Sequence, residues 1–236
     1  MPVQIVEAND DRVRVVELLL QRPDSPLRFV LYPMPHIGSP QFYREVTRRL
    51  AKADVIVTEG VGPSRAGAAL TMSYRAMAED QQLRLMVQHL DYDALTAQVI
   101  CPDSSGEQFQ ARWQTIPRWQ RVATLGMIGS VTAAQRLFGS RWLLTILQDS
   151  SLDDLPTNEE VLQPVLPPDV ERLVLDERDE RLLRTLYDLH DRRAAEPITV
   201  AVVYGAQHMR AVTTGLSTPH GYKVRAGDWL TVMVFD

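Results

Sequence analysis

The stretch Leu27-Arg-Phe-Val-Leu-Tyr32, with Ser39-Pro40 after it and Asp54-Val-Ile-Val-Thr58 beyond, decides the fold. The first run is apolar enough to be a buried strand, and Pro33-Met-Pro-His-Ile-Gly38 ends it. Ser39-Pro40 is a helix start, a hydroxyl N-cap with proline at the first helical position. From Gln41 to Ala53, Phe42, Val46, Leu50 and Ala53 fall on one helical face. The β-branched run Asp54 to Thr58 is a second strand, ending at Glu59-Gly-Val-Gly-Pro63. Strand, helix and strand at this spacing form a βαβ unit, which builds a parallel sheet with a right-handed crossover.

The same pattern recurs near the C-terminus. Asp176-Glu-Arg-Asp179 opens a helix carrying Leu182, Leu183, Leu186 and Leu189, with acids in its first turn and Arg192-Arg193 in its last. Ile198 to Tyr204 is a fully apolar strand closed by Gly205-Ala-Gln-His208. Trp229 to Phe235 reads as a last strand, antiparallel and at an edge, after a turn around Pro219 to Gly227. Residues 1–25 read as an amphipathic β piece or short helix ending at Arg22-Pro-Asp-Ser-Pro26.

Residues 108–148 carry five arginines and no acid, with Trp113, Trp119 and Trp142; residues 149–160 carry five acids and no base. A basic, tryptophan-bearing stretch can bind single-stranded nucleic acid. The preferred reading is amphipathic helices over one end of the sheet, tryptophans inward and arginines paired with the following acids. A net charge of −5 argues the same way. The expected architecture is α/β: one domain over residues 1–236, a mainly parallel central sheet flanked by helices, and a helical insertion at about 105–165 covering the pocket. Hydrophobic residues at 45% and charged residues at 23% exclude a disordered or fibrous chain. No apolar run reaches the ~18 residues of a membrane span. The N-terminus lacks the basic and apolar regions of a signal peptide, and Cys101 is the single cysteine, so a cytoplasmic location is expected.

Three residues at strand ends can carry chemistry: His36, Glu59 and His208. In open parallel sheets ligands bind beyond the carboxyl ends of the strands, so neighbouring strands gather these three. Two histidines and a glutamate make the three-ligand set of a catalytic zinc-type site. The same groups also work without metal, one histidine taking a proton from water, Glu59 orienting it, and the other protonating the leaving group. Simple topology puts the start of the helix at Arg178 at the opposite end of the sheet. Cys101 reads as a core or turn residue, and His89, His190 and His220 as surface or structural; His220 reaches the pocket only if its loop folds back.

Asp176-Glu-Arg-Asp-Glu-Arg-Leu-Leu, then Thr199-Val-Ala-Val-Val-Tyr-Gly-Ala-Gln-His-Met, resembles the TraB/GumN/TIKI family, relatives of the erythromycin esterases and ChaN-like haem-uptake proteins. The likeness matches His36, Glu59, the pair Arg178-Asp179, and Gly205 with His208, over about residues 27–65 and 170–236. Pro33 stands where the family's first motif has glycine. The resemblance implies one pocket of His36, Glu59, Arg178 and His208, with Arg178 holding a carboxylate or an oxyanion. It adds Asp179, Gly205 and Asp103 as substrate-side or supporting residues. It implies hydrolysis of an ester or a peptide bond, with or without a divalent metal (Mn, Co, Zn or Fe) on His36, Glu59 and His208. The alternative is a non-catalytic pocket for haem, a metal or a small ligand. The expected partner is a small-molecule or peptide substrate, with no nucleic acid and no membrane span.

Overall fold

A computed structural model describes residues 4–9, 11–78, 84–138 and 166–234. Its centre is a mixed sheet. Strands β3 (Ser25–Met34), β8 (Thr199–Gly205), β5 (Val55–Thr58) and β7 (Gln98–Ile100) lie parallel, in that order. On the other side of β3 the sheet turns antiparallel: β2 (Arg12–Arg22) pairs β3, and β1 (Val6–Ala8) continues along the same edge of β2. β9 (Lys223–Val234) runs antiparallel along the opposite edge of β2. The short strands β4 (Ile37–Gly38) and β6 (Met86–Val87) form a separate ribbon. The fold is therefore α/β with helices flanking a sheet that is parallel where the candidate residues emerge.

The βαβ unit read from residues 27–58 is present. The Ser39 hydroxyl accepts the Phe42 amide at 3.2 Å and starts helix α1 (Pro40–Leu50). Phe42, Val46 and Leu50 are buried against the sheet, each removing roughly 1.5–3 kcal/mol worth of apolar surface from water. In β8, Val200, Val202, Val203 and Tyr204 have no exposed surface, as expected of a strand covered on both faces.

One open reading is decided and three expectations need correction. Residues 1–25 contain no helix among those described; they form β1 and β2, and the β2–β3 turn closes at Pro23-Asp24. The last strand starts at Lys223, not Trp229. The region read as a turn from Pro219 is the end of a helix, Met209–His220, stopped by Gly221 at φ 72°. Trp113 is buried but Trp119 is 65% exposed, so the tryptophans of the middle do not all turn inward; Trp142 and the acids of 149–160 lie outside the described residues. Finally, the helix bearing Arg178 starts at the carboxyl end of the sheet. A helix that feeds β8 through a short loop must run antiparallel to it, so its first residues sit where β8 ends.

The described part of the expected insertion is helical: α4 (Gly106–Thr115) and α5 (Arg118–Phe138), after α2 (Arg65–Leu70) and α3 (Met72–Ala78). A short helix α6 (Pro168–Glu171) passes through a π-helical turn, Arg172–Asp176, into α7 (Glu177–Arg193). Phe109, Trp113, Ile116, Val170 and Leu173 make a second apolar cluster that packs α4 against this turn. α8 is Met209–His220, reached from β8 through the 3₁₀ turn Ala206–His208.

Candidate functional site

The loops after β5 and β7 lie in backbone contact. A Cβ on Gly106 would stand 2.1 Å from the Pro63 carbonyl oxygen, so only glycine permits the approach. That contact sets Asp103 against Gly60, whose amide donates to Asp103 Oδ2 at 2.8 Å. Arg178, entering on the first turn of α7, donates from Nε and Nη2 to the two Asp103 oxygens at 3.1 and 2.7 Å. Its Nη2 also stands 2.7 Å from Glu59 Oε1. The Gly205 amide donates to the other oxygen, Glu59 Oε2, at 2.7 Å. One hydrogen-bonded chain thus joins the ends of β5, β7 and β8 to the start of α7. The three ionised side chains are almost wholly covered: Arg178 is 11% exposed, Glu59 13% and Asp103 0%.

Burial opposes the charge on Glu59, but the Arg178 guanidinium, then His36 and His208, pull the other way and hold its carboxyl down at about 2. Burial likewise opposes the Arg178 charge, while Glu59 and Asp103 raise its pKa above the usual arginine range. Arg178 is therefore a clamp between two carboxylates. Its Nε and Nη2 are engaged by Asp103 and Glu59.

His208 lies buried on the 3₁₀ turn after β8, and its Nδ1 is 2.7 Å from Asp179 Oδ1. An ionised carboxylate only accepts, so the imidazole Nδ1–H donates and the lone pair is on Nε2. A Cβ on Gly205 would meet Glu59 Oε2 at 3.3 Å and His208 Cδ2 at 3.6 Å, so this glycine keeps the two side chains close. The Tyr204 ring meets the His208 ring edge-to-face at 5.4 Å. The Tyr204 hydroxyl is buried with no hydrogen-bond partner among the described residues. Burial, and then Asp103, raise its pKa beyond the ordinary tyrosine range, so it stays a proton donor.

His36 leaves the end of β3 half-buried, its ring 4.8 Å from that of Tyr74. Tyr92 closes the same side, its hydroxyl 2.7 Å from Thr58 Oγ1. Burial, with Glu59 adding to it, raises the pKa of Tyr74.

Together the structure brings Glu59, Asp103, Arg178, Asp179, Gly205 and His208 into one bonded region, with His36 beside Glu59. It reassigns two roles. The carboxylate that orients a histidine is Asp179, not Glu59. Among the described residues, three donors within 4.8 Å of one another occur at His190, Asp191 and His220, not at His36, Glu59 and His208. The expected metal-ligand set is therefore not gathered, and a divalent ion does not fit those three as they stand. Cys101 is exposed, its thiol donating to the Gly60 carbonyl at 3.3 Å. His220 does not reach the pocket; it stacks on His190 at 4.4 Å near the far end of α7.

Tyr74, Tyr92 and Tyr204 are the neighbours that sequence reasoning missed. Only Tyr204 carried a signal: it stands directly before Gly205 in the strand-end motif. No helix among the described residues is long and apolar enough to cross a membrane. Comparison of the chain with family models, with curated proteins and with solved structures finds no match.

Proposed function

We propose that this chain is a hydrolase-like enzyme that cleaves an ester or an amide bond with a water activated by His208. The observation that carries the reading is the buried His208–Asp179 pair at 2.7 Å. A carboxylate on Nδ1 fixes the tautomer, aims Nε2 outward and stabilises the imidazolium that forms when Nε2 takes a proton. The resemblance to the TraB/TIKI and erythromycin-esterase group points to the same class of reaction.

In this scheme His208 Nε2 accepts a proton from water as the oxygen attacks the carbonyl carbon. His36, half-buried across Glu59, returns a proton to the leaving group. Arg178 is a positioning residue. By holding Glu59 and Asp103 it fixes Gly60 and Gly205, and so the turn that carries His208.

The test is turnover of a panel of p-nitrophenyl esters and fluorogenic peptides by the purified protein. His208→Ala and Asp179→Asn should each lower kcat by about a hundredfold or more, measured below the unfolding transition of each variant. Equal turnover by the wild type and both variants sinks the proposal. So does a Soret band with no hydrolysis, which would identify a binding protein.

A further inference from the structure

A second cluster sits at the other end of α7. His190 and Asp191 are in its last turn and His220 is the final residue of α8. One ligand atom from each lies within 4.8 Å of the others. Twelve helical residues separate His190 from Arg178, about 18 Å of rise, so this cluster is separate from the pocket above. We propose that His190, Asp191 and His220 bind a divalent transition metal of the zinc class, which clamps the C-terminal ends of α7 and α8 together.

The neighbours of His190 fix its tautomer. Arg22 Nη1 is 3.4 Å from His190 Nε2, and a guanidinium has only hydrogens to give. Nε2 therefore presents its lone pair, and Nδ1 carries the proton toward the Tyr222 hydroxyl at 3.0 Å. In metal-binding histidines one nitrogen is held by an orienting group and the other gives its lone pair to a cation; here the Tyr222 hydroxyl holds Nδ1, and Nε2 faces the Arg22 cation that the metal would replace.

The surroundings also favour a cation. Both helices end here, and their last carbonyls carry partial negative charge. Arg22 already answers that field, donating to the His220 carbonyl at 3.3 Å as well as facing Nε2. Asp191 stands in a last turn, where the helix dipole disfavours an acid; a metal shared with two imidazoles reverses that cost. Imidazole nitrogen with one carboxylate suits zinc, cobalt or nickel rather than magnesium or calcium. Three protein ligands leave a fourth position for water. The ion competes with the Arg22 guanidinium, which withdraws to solvent.

The experiment is equilibrium dialysis of the metal-stripped protein against zinc, read by elemental analysis. It uses the wild type, His36→Ala, Asp191→Asn, His220→Ala, the double variant of the last two, and Arg22→Gln. The two single ligand variants avoid His190, whose removal from a buried position could unfold the chain. The wild type and His36→Ala should each bind one zinc. Each single ligand variant should weaken it by about tenfold or more, and the double variant should abolish it. Arg22→Gln should tighten binding several-fold, because the competing cation is gone. Zinc should also raise the Tm of the wild type but not of the double variant. The inference is overturned if no zinc binds at micromolar concentration, if the double variant retains it, or if Arg22→Gln binds no more tightly than the wild type.

Discussion

Replacing Arg178 by methionine removes the cation that Glu59 and Asp103 share and leaves two covered carboxylates facing each other. Taking one partner from a buried ion pair costs about 3–5 kcal/mol, because the remaining charge has no compensation. The size can be checked from Glu59 itself. Its carboxyl is held at about 2 against an ordinary 4.5, and at 1.36 kcal/mol per unit this is about 3 kcal/mol of stability. A depressed carboxyl contributes fully above pH 4.5, and the contribution fades as pH falls toward 2. In Arg178→Met the sign reverses: the folded state keeps a proton on one carboxyl that the unfolded chain releases, so acid narrows the gap between variant and wild type. The assay is urea unfolding at pH 7 and pH 4. With a slope of about 2–3 kcal/mol per molar, the variant's midpoint should fall by roughly 1–2 M at pH 7 and by clearly less at pH 4. Arg178→Lys should recover part of the loss, since a single ammonium cannot reproduce the fork on Asp103 while also touching Glu59. A midpoint shift below about 0.3 M at pH 7, or the same shift at both pH values, refutes the clamp.

Other perturbations separate packing from chemistry. Gly106→Ala forces a Cβ to 2.1 Å from the Pro63 carbonyl; it should destabilise the chain by about 2–4 kcal/mol in chemical denaturation, and a change below 0.5 kcal/mol would show the two loops to be independent. Tyr204→Phe deletes a buried hydroxyl that no protein group answers among the described residues, so stability should hold or rise by up to about 1 kcal/mol; a clear loss of stability means the hydroxyl is bonded. Ser39→Ala removes the cap on the Phe42 amide and should lower stability by about 1 kcal/mol without touching turnover.

The parallel core was legible because its signals are local. Apolar β-branched runs at Asp54–Thr58 and Ile198–Tyr204, each ended by glycine, become strands almost wherever they occur, and Ser39-Pro40 starts a helix by its own chemistry. The N-terminal strands were ambiguous for the opposite reason. Arg12–Arg22 carries alternating and continuous apolar positions that satisfy more than one period, and its pairing with β9 joins residues over 200 apart in the chain. The helix ending at His220 was hidden by Pro219, whose ring does little harm in a last turn that Gly221 is about to stop.

At the site, the sequence marks which residues matter more readily than it marks what each does. Strand-end position alone brings out His36, Glu59 and His208, but partners are chosen by side-chain reach across elements. Asp103 and Asp179 look alike as sequence: each is an acid beside a motif. One sits on a loop pressed against Gly60 and takes the arginine fork; the other sits one residue past that arginine and takes the histidine. Adjacent residues at a helix start point about 100° apart, so the Arg178-Asp179 pair must serve two different partners. This division has a chemical consequence. With Nε and Nη2 on Glu59 and Asp103, that edge of the Arg178 guanidinium cannot receive a developing oxyanion without releasing a buried carboxylate. In the hydrolysis proposed above, the catalytic load would fall on the neighbouring Asp179, which bonds Nδ1 of His208. Arg178 then acts in the proposed reaction by fixing the strand ends around His208 rather than by meeting the substrate.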